Sequence, residues 1–447
     1  MTNSFTSLFA RDLRKNRPVA LDVSGGLITW QKFETDISAL YLRLSRNSQS
    51  RWALCFDNSY WFAVSLFALA LADKDIVFPS NTSSKKALSD ISQHFDAILT
   101  DQDLSNECVV WHPEAGVCKC EIPKRILDNV NITLFTSGST GASTSIQKTF
   151  QQLANEVNVL ENLCGSYFLD CEVFGTVSHQ HIYGLLFRIL LPLSLGVPFS
   201  ETMLEYPDQV SNMSSSNRTL VSSPALLKRL TIEQVKIGYK KVFSSGGVLP
   251  FESANQCSHL FGSMPIEVYG SSETGGIGWR EQTALNEPWT VFPDLDVRCT
   301  DKGRLEVRSP FILQDHWWLT DDHVSLLPDG RFHLMGRADR IVKVSEKRIS
   351  LVEVERRLQE FSEIQEVVAI ALENSNRLEV AAVVVLTEEG SDKISVQGRF
   401  AFWSSVKQKL RDHIEPVGIP RRYRVVDQIP IDSQGKNAVS ALKELFS

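Results

Sequence analysis

No two cysteines stand in a CxxC spacing, no GxxxxGK[ST] loop occurs, and no apolar run is long enough to cross a bilayer. Each absence closes off a class. The eight cysteines, at positions 55, 108, 118, 120, 164, 171, 257 and 299, offer neither a zinc ribbon nor a disulfide framework, and Cys118 and Cys120 read as reduced thiols. Without a lysine opening a helix after Gly141, the chain is not a Walker-type phosphate binder. Trp61–Ala72 is too short for a membrane span, and Ile182–Phe199 is broken by Arg188, two prolines and Gly196, so both read as buried core helices. The N-terminus lacks the apolar segment of a signal peptide, giving the expectation of a cytoplasmic protein without a membrane span. A net charge of -7 and a pI near 5.8 argue against nucleic acid as the main partner and favour a small-molecule substrate.

What is present is ample apolar material: 447 residues at 43% hydrophobic content can build two or three folding units. Short apolar runs such as Val19–Val23, Ala53–Phe56, Arg218–Val221 and Ile266–Val268 alternate with helical patterns such as Phe33–Leu44, Gln152–Cys164 and Pro224–Leu230. That alternation predicts an α/β protein with mostly parallel sheets. After Trp289 the pattern turns to β-hairpins, with Asp329-Gly330 between apolar runs as a hairpin turn. A small α+β unit follows: helix Leu351–Glu360, strands Glu366–Leu372 and Glu379–Leu386, helix Phe402–His413. A boundary within Gly336–Arg340 divides the chain into domains 1–336 and 337–447, the first carrying a barrel-like β section.

Four segments carry chemistry. In LFTSGSTG, the hydroxyls of Thr136, Ser137, Ser139 and Thr140 and the amides of Gly138 and Gly141 suit the β- and γ-phosphates of ATP. Taken alone, the same composition also suits a flexible linker. In YGSSETGG, Tyr269 offers a face for adenine, Gly270, Ser271, Ser272 and Thr274 line the nucleotide side, and Glu273 is the magnesium candidate. A glycine-rich turn with a solvated glutamate is the plain alternative. In the stretch Trp318–Arg340, Asp322 is the candidate for the ribose hydroxyls and Arg337 for ribose and phosphate contacts; an ordinary charged hairpin reads equally well. Lys436, in DSQGK, can supply the cation needed where a carboxylate meets an α-phosphorus, although most terminal lysines are solvated.

In this order the four segments resemble the adenylate-forming superfamily of acyl- and aryl-CoA synthetases, peptide-synthetase adenylation domains and firefly-type luciferases. Val242–Gly247 looks like its adenine-side loop, bringing in Ser245, Gly246 and Gly247, and HIYGL looks like its acid-pocket motif, bringing in His181 and Tyr183, with the segment Gly275 to Trp279, Gly275 and Gly276 first, expected to line the same pocket. The resemblance implies a large N-terminal domain for ATP and acid and a small mobile C-terminal domain, rotating about Asp339, in which Lys436 catalyses adenylation and Thr140 and Glu273 assist. It also implies Mg²⁺ and a phosphopantetheine thiol acceptor. Departures are visible: Ser143 and Thr144 replace the family's proline and lysine, leaving Lys148 as the next cation, and Glu346 replaces a glycine on the expected pantetheine route.

The chain therefore reads as a short stand-alone ligase that activates an aryl or medium-chain fatty acid. The acceptor is CoA or, more attractively, a separate acyl carrier protein; the basic residues Arg421, Arg422 and Arg424 suit an acidic carrier helix or a CoA phosphate, and read at least as well as a solvated strand edge. The alternative is a catalytically weakened homologue that binds nucleotide or acyl groups as a regulatory partner, motivated by Thr144 and Glu346. A luciferase-like oxygenase has no support beyond the shared fold.

Overall fold

The structure, a computed structural model, describes residues 16–80, 85–104, 109–116, 127–137, 143–230, 238–312, 316–337, 340–344, 347–374, 377–411, 413–431 and 438–446. Predicted sites Gly138, Ser139, Thr140, Gly141, Asp339 and Lys436, together with Glu346, lie outside the described residues. The chain gathers into two compact units: residues 1–297, 307–318 and 328–332 form the larger, and 298–306, 319–327 and 333–447 the smaller.

The larger unit is built on two mixed, mostly parallel sheets, as the alternation of runs and helices predicts. Strands Ala97–Thr100 and Arg51–Cys55 are buried along all or nearly all of their length, which is why AILT and WALC read as near-continuous apolar runs rather than alternating ones. In the six-stranded sheet, Arg51–Cys55, Asp75–Phe78, Ala97–Thr100 and Asn131–Ser137 run parallel, and Ser143–Thr149 returns antiparallel at the edge. The nine-stranded sheet carries Ile266–Ser271 next to its antiparallel partner Gly275–Glu281. Helix Ser59–Leu71 is buried on nearly every side, so an apolar helix in the core is the correct account of that segment. Residues 182–195 form a buried helical run whose middle, Leu185–Leu190, is a π-helix. Among the described residues no helix is long and apolar enough to cross a membrane.

A four-stranded curled sheet contains Asp296–Cys299, Arg304–Arg308, Trp318–Leu326 and Phe332–Arg337 in that order, matching the barrel-like section. Its last turn has Gly330 at φ 87°, with Asp329 accepting from the Arg331 amide, as the Asp-Gly pair predicts. The smaller unit closes around the antiparallel pair Ile364–Asn374 and Arg377–Leu386. Strand Arg422–Val425 lies parallel to the second, and helices Leu351–Gln359 and Arg399–Leu410 supply core residues Leu358, Phe402 and Val406.

Candidate active site

The return strand Ser143–Thr149 organises the site. Its register opposes Ser137 to Ser143 and Thr136 to Thr144, so Thr136 and Ser137 end one arm of a hairpin whose other arm begins at Ser143. Thr144 is exposed within that ladder. The strand stops at Thr149 because a capping box takes over: Thr149 accepts from the Gln152 amide and Gln152 Oε1 from the Thr149 amide, starting helix Phe150–Cys164.

Lys148, read from sequence as the next cation for pyrophosphate, does something else. It is 2% exposed, and its Nζ donates to the carbonyls of Glu273 at 2.9 Å and Phe311 at 2.6 Å. Alternation explains this: Ile146 packs into the core, and two residues on Lys148 must share its face. Gln152 Nε2 joins the same Phe311 carbonyl at 3.0 Å. From two turns into the helix, Glu156 accepts from the Gly276 amide at 2.7 Å. Burial pushes the Lys148 ammonium below its ordinary value and the Glu156 carboxyl above its own, and in each case the other's charge works against the shift.

The turn they hold is tight. Ser271 pairs with Gly275 and Gly270 with Gly276, and a Cβ on Gly270 would lie 2.4 Å from the Gly275 carbonyl oxygen. Ser271 and Thr274 hydroxyls meet at 3.0 Å, and the buried Thr274 donates to the Gly275 carbonyl, so both close the turn itself. Ser272 and Glu273 are half-buried, and the Glu273 carboxylate takes no hydrogen bond or ion pair from any described residue. No group of three or more His, Cys, Asp or Glu suited to a metal occurs among the described residues. A lone hard-oxygen ligand fits magnesium, which is held through few protein groups when phosphates supply the rest, and fits a fully protein-caged metal poorly.

Tyr269 lies 5.5 Å from Trp289 and 5.8 Å from Phe332, ring centre to ring centre. Ser245 donates to the Val268 carbonyl at 2.8 Å, which ties the Ser245–Gly247 loop to the strand bearing Tyr269; Gly246 has φ 89° and, with Gly247, is exposed. Tyr183 stands 5.0 Å from Phe187, and burial raises its phenol far above the ordinary value. His181 precedes it at the helix start, half-buried. Further along the same helical run, Arg188 is buried with no carboxylate paired to it among the described residues: its guanidinium donates to Val177 O at 2.6 Å, Ser59 Oγ at 2.9 Å and Thr202 O at 3.3 Å, and burial lowers it to about 10.

An apolar cavity of about 40 Å³ is lined by Leu160, Cys164, Tyr167, Phe187, Phe243 and Trp279, among others. Burial pushes the Cys164 thiol up to about 12, so this sulfur is an apolar wall rather than a nucleophile. Of this wall only Trp279, at the end of the segment Gly275–Trp279 expected to line the acid pocket, was readable from sequence; its other residues and Glu156 were missed. For Glu156 the signal was there: it sits on the stripe of Phe150, Leu153, Val157 and Leu160, where a carboxylate needs a partner.

In the smaller unit, Asp322 follows Thr320, whose hydroxyl takes the Asp322 amide at 3.1 Å and donates to Leu305 O. Arg337 faces Asp321 at 3.7 Å, and Arg304 holds Asp321 at 2.8 Å. Of the three basic residues noted at 421–424, Arg422 is taken by Glu379 at 2.9 Å. Arg421 and Arg424 instead line a groove of about 300 Å³ with Arg399, Phe400, Trp403 and Lys407. Trp403 stacks on Tyr423 at 4.0 Å and 10°, and no described carboxylate pairs with these four cations.

Fold and motifs together define an adenylate-forming enzyme. The chain belongs to the family of AMP-binding enzymes, whose model matches residues 10–303, with the AMP-binding enzyme C-terminal domain matching residues 353–436. It is 23% identical to a 4-coumarate–CoA ligase of Cereibacter sphaeroides, over 68% of this chain and 70% of that protein. It is 22% identical to a long-chain-fatty-acid–CoA ligase of Bacillus subtilis, over 69% of this chain and 60% of that protein. ATP-bound MatB from Rhodopseudomonas palustris superposes at TM-score 0.83 with 18% identity, covering 100% of this chain and 99% of its own. A benzoate CoA ligase from Burkholderia xenovorans gives 0.80 at 18% identity, covering 98% and 99%.

Proposed function

We propose that this protein activates a small carboxylic acid with ATP and transfers the acyl group to a phosphopantetheine thiol. The observation that carries the reading is the Lys148 hydrogen bond to Glu273: it joins the hairpin bearing the Gly/Ser/Thr loop to the turn bearing the magnesium candidate. Thr136 and Ser137, at the end of that hairpin, and the Glu273 turn are thereby tied to one pair of strands. Family membership and the ligase names of its relatives point the same way.

In the first step an acid oxygen bonds to the α-phosphorus, and the bond from that phosphorus to the bridging oxygen breaks, releasing pyrophosphate with the electron pair. Thr136, Ser137 and the loop beyond hold the β- and γ-phosphates, Tyr269 and the Ser245–Gly247 loop hold adenine, and Asp322 and Arg337 take the ribose. Magnesium bound at Glu273 would neutralise phosphate charge. Lys436 supplies a cation to the reacting oxygens. In the second step the thiol sulfur bonds to the acyl carbon and AMP leaves. The acid's tail packs toward the cavity beside Phe187, Phe243 and Trp279, whose small size and aromatic wall favour a compact aryl or short to medium aliphatic acid.

The acceptor we favour is an acidic carrier protein rather than free CoA. The groove of Arg399, Lys407, Arg421 and Arg424 beside Phe400, which is 89% exposed, stands out on a chain of net charge -7. The second reading, a weakened homologue that binds nucleotide without turnover, is favoured by the loss of Lys148 to the core. Hydroxylamine trapping separates the two: a panel of acids with ATP yields a hydroxamate from at least one if the adenylate forms, and ATP binding with no hydroxamate from any acid supports the weakened homologue.

A further inference from the structure

Resting on that reading, we infer that Lys148 and Glu156 are positioning residues: two buried groups of opposite charge that fix the backbone from the Glu273 carbonyl to the Gly276 amide and so present the Glu273 carboxylate to the magnesium–triphosphate. The two grips fall on one short turn. Lys148 Nζ holds the carbonyl of Glu273 itself, and Glu156 Oε1 holds the amide of Gly276. Between these points Thr274 is buried and bonded within the turn, so little of it is left to move. Gly275, at φ 72°, allows the close approach; a Cβ there would lie 2.7 Å from Glu156 Oε2.

The side chain is treated differently from the backbone. Every grip falls on main-chain atoms, while the Glu273 carboxylate is half-buried and takes no bond from a described residue. That is the arrangement a metal ligand needs: a fixed Cα and an unspent pair of oxygens. A turn held only for stability could be packed with apolar side chains at less desolvation cost than an ammonium and a carboxylate. Both charges come from one continuous element, the return strand and its capped helix. The same residues that fix the turn thereby fix it relative to the hairpin of the phosphate loop.

The test uses the full chain and calorimetric binding of ATP with and without Mg²⁺, beside thermal unfolding. In Lys148→Met with Glu156→Gln, both charges are removed together. Affinity for Mg·ATP should fall 10-fold or more, affinity for metal-free ATP should change less than 2-fold, and Glu273→Gln should reproduce the pattern. Equal losses with and without the metal, or no loss, would overturn the inference, because the pair would then serve the fold alone. Should the double variant fail to fold, Lys148→Arg and Glu156→Asp keep each charge but alter its reach. A weakened Mg·ATP constant at an unchanged melting temperature supports the positioning role, and an unchanged constant refutes it. Wild-type protein that binds no ATP at all marks failure of the proposed function itself, and the inference falls with it.

Discussion

Replacing Lys148 by Met alone should cost the protein more than any surface change. Two hydrogen bonds from a charged donor, to Glu273 O and Phe311 O, are lost, each contributing about 1.5–3 kcal/mol. Phe311 O keeps Gln152 as a donor, which trims the loss. Glu156, fully enclosed, also loses the favourable Coulombic field of Lys148, a contribution smaller than the about 3–5 kcal/mol of breaking a contacting buried pair. Taking about 4 kcal/mol overall, the melting temperature should fall by roughly 10 °C. Adding Glu156→Gln removes the stranded charge but keeps an acceptor for the Gly276 amide, so it should restore at least about 1 kcal/mol. Lowering the pH should narrow the gap. Burial raises the Glu156 carboxyl in the fold, and loss of Lys148 raises it further, so acid neutralises the stranded group first in the folded single variant. Urea unfolding of the four proteins of the cycle, at neutral and mildly acidic pH, measures all of this. A Lys148→Met protein within about 0.5 kcal/mol of wild type, or a double variant no better than the single, refutes the reasoning.

Trp279→Ala should enlarge the apolar cavity and raise kcat/KM for a bulkier acid relative to a compact one by about 10-fold, since a methylene in such a pocket is worth 1–3 kcal/mol; competition between two acids in one vessel reads this directly. Arg421→Glu with Arg424→Glu should raise KM for an acidic carrier protein about 10-fold or more and flatten its salt dependence, leaving adenylate formation intact; equal effects on CoA and carrier would discount the groove as a protein-docking surface. Asp96 is held at about 2, chiefly by the hydrogen bond from Arg51, and its folded value lies below the unfolded one. Its stabilisation is present above pH ~4 and lost as the pH falls toward 2, and Asp96→Asn should cost about 1 kcal/mol at neutral pH, discounted for exposure of the Arg51 side chain. Unfolding free energies that differ equally at pH 7 and pH 2 would contradict that window.

Much of the fold was legible because local signals agreed with the outcome. Apolar runs became buried parallel strands, Asp329-Gly330 made its hairpin, and Thr149 with Gln152 started a helix where the pattern placed one. The helix Pro224–Leu230 proved shorter, ending at Leu227, which no local signal marks. At the site, residue types at motif positions were readable, but their partners were not. Lys148 read as the next cation because Thr144 stands where the resemblance expects a lysine, whereas period-two alternation from Ile146 turns it inward. Glu156 and the cavity wall depend on which helix packs on which sheet, and contacts as distant in sequence as Glu156 and Gly276 leave no local trace. Arg422 likewise resembled its neighbours until the strand pairing set it against Glu379.

Acid-dependent exchange of labelled pyrophosphate into ATP tests adenylation by this protein most directly. Wild-type protein with its acid and Mg²⁺ should exchange label, and Lys436→Ala should lose nearly all of that exchange while still binding ATP. Exchange that persists undiminished in Lys436→Ala, or that no acid elicits from the wild type, contradicts it.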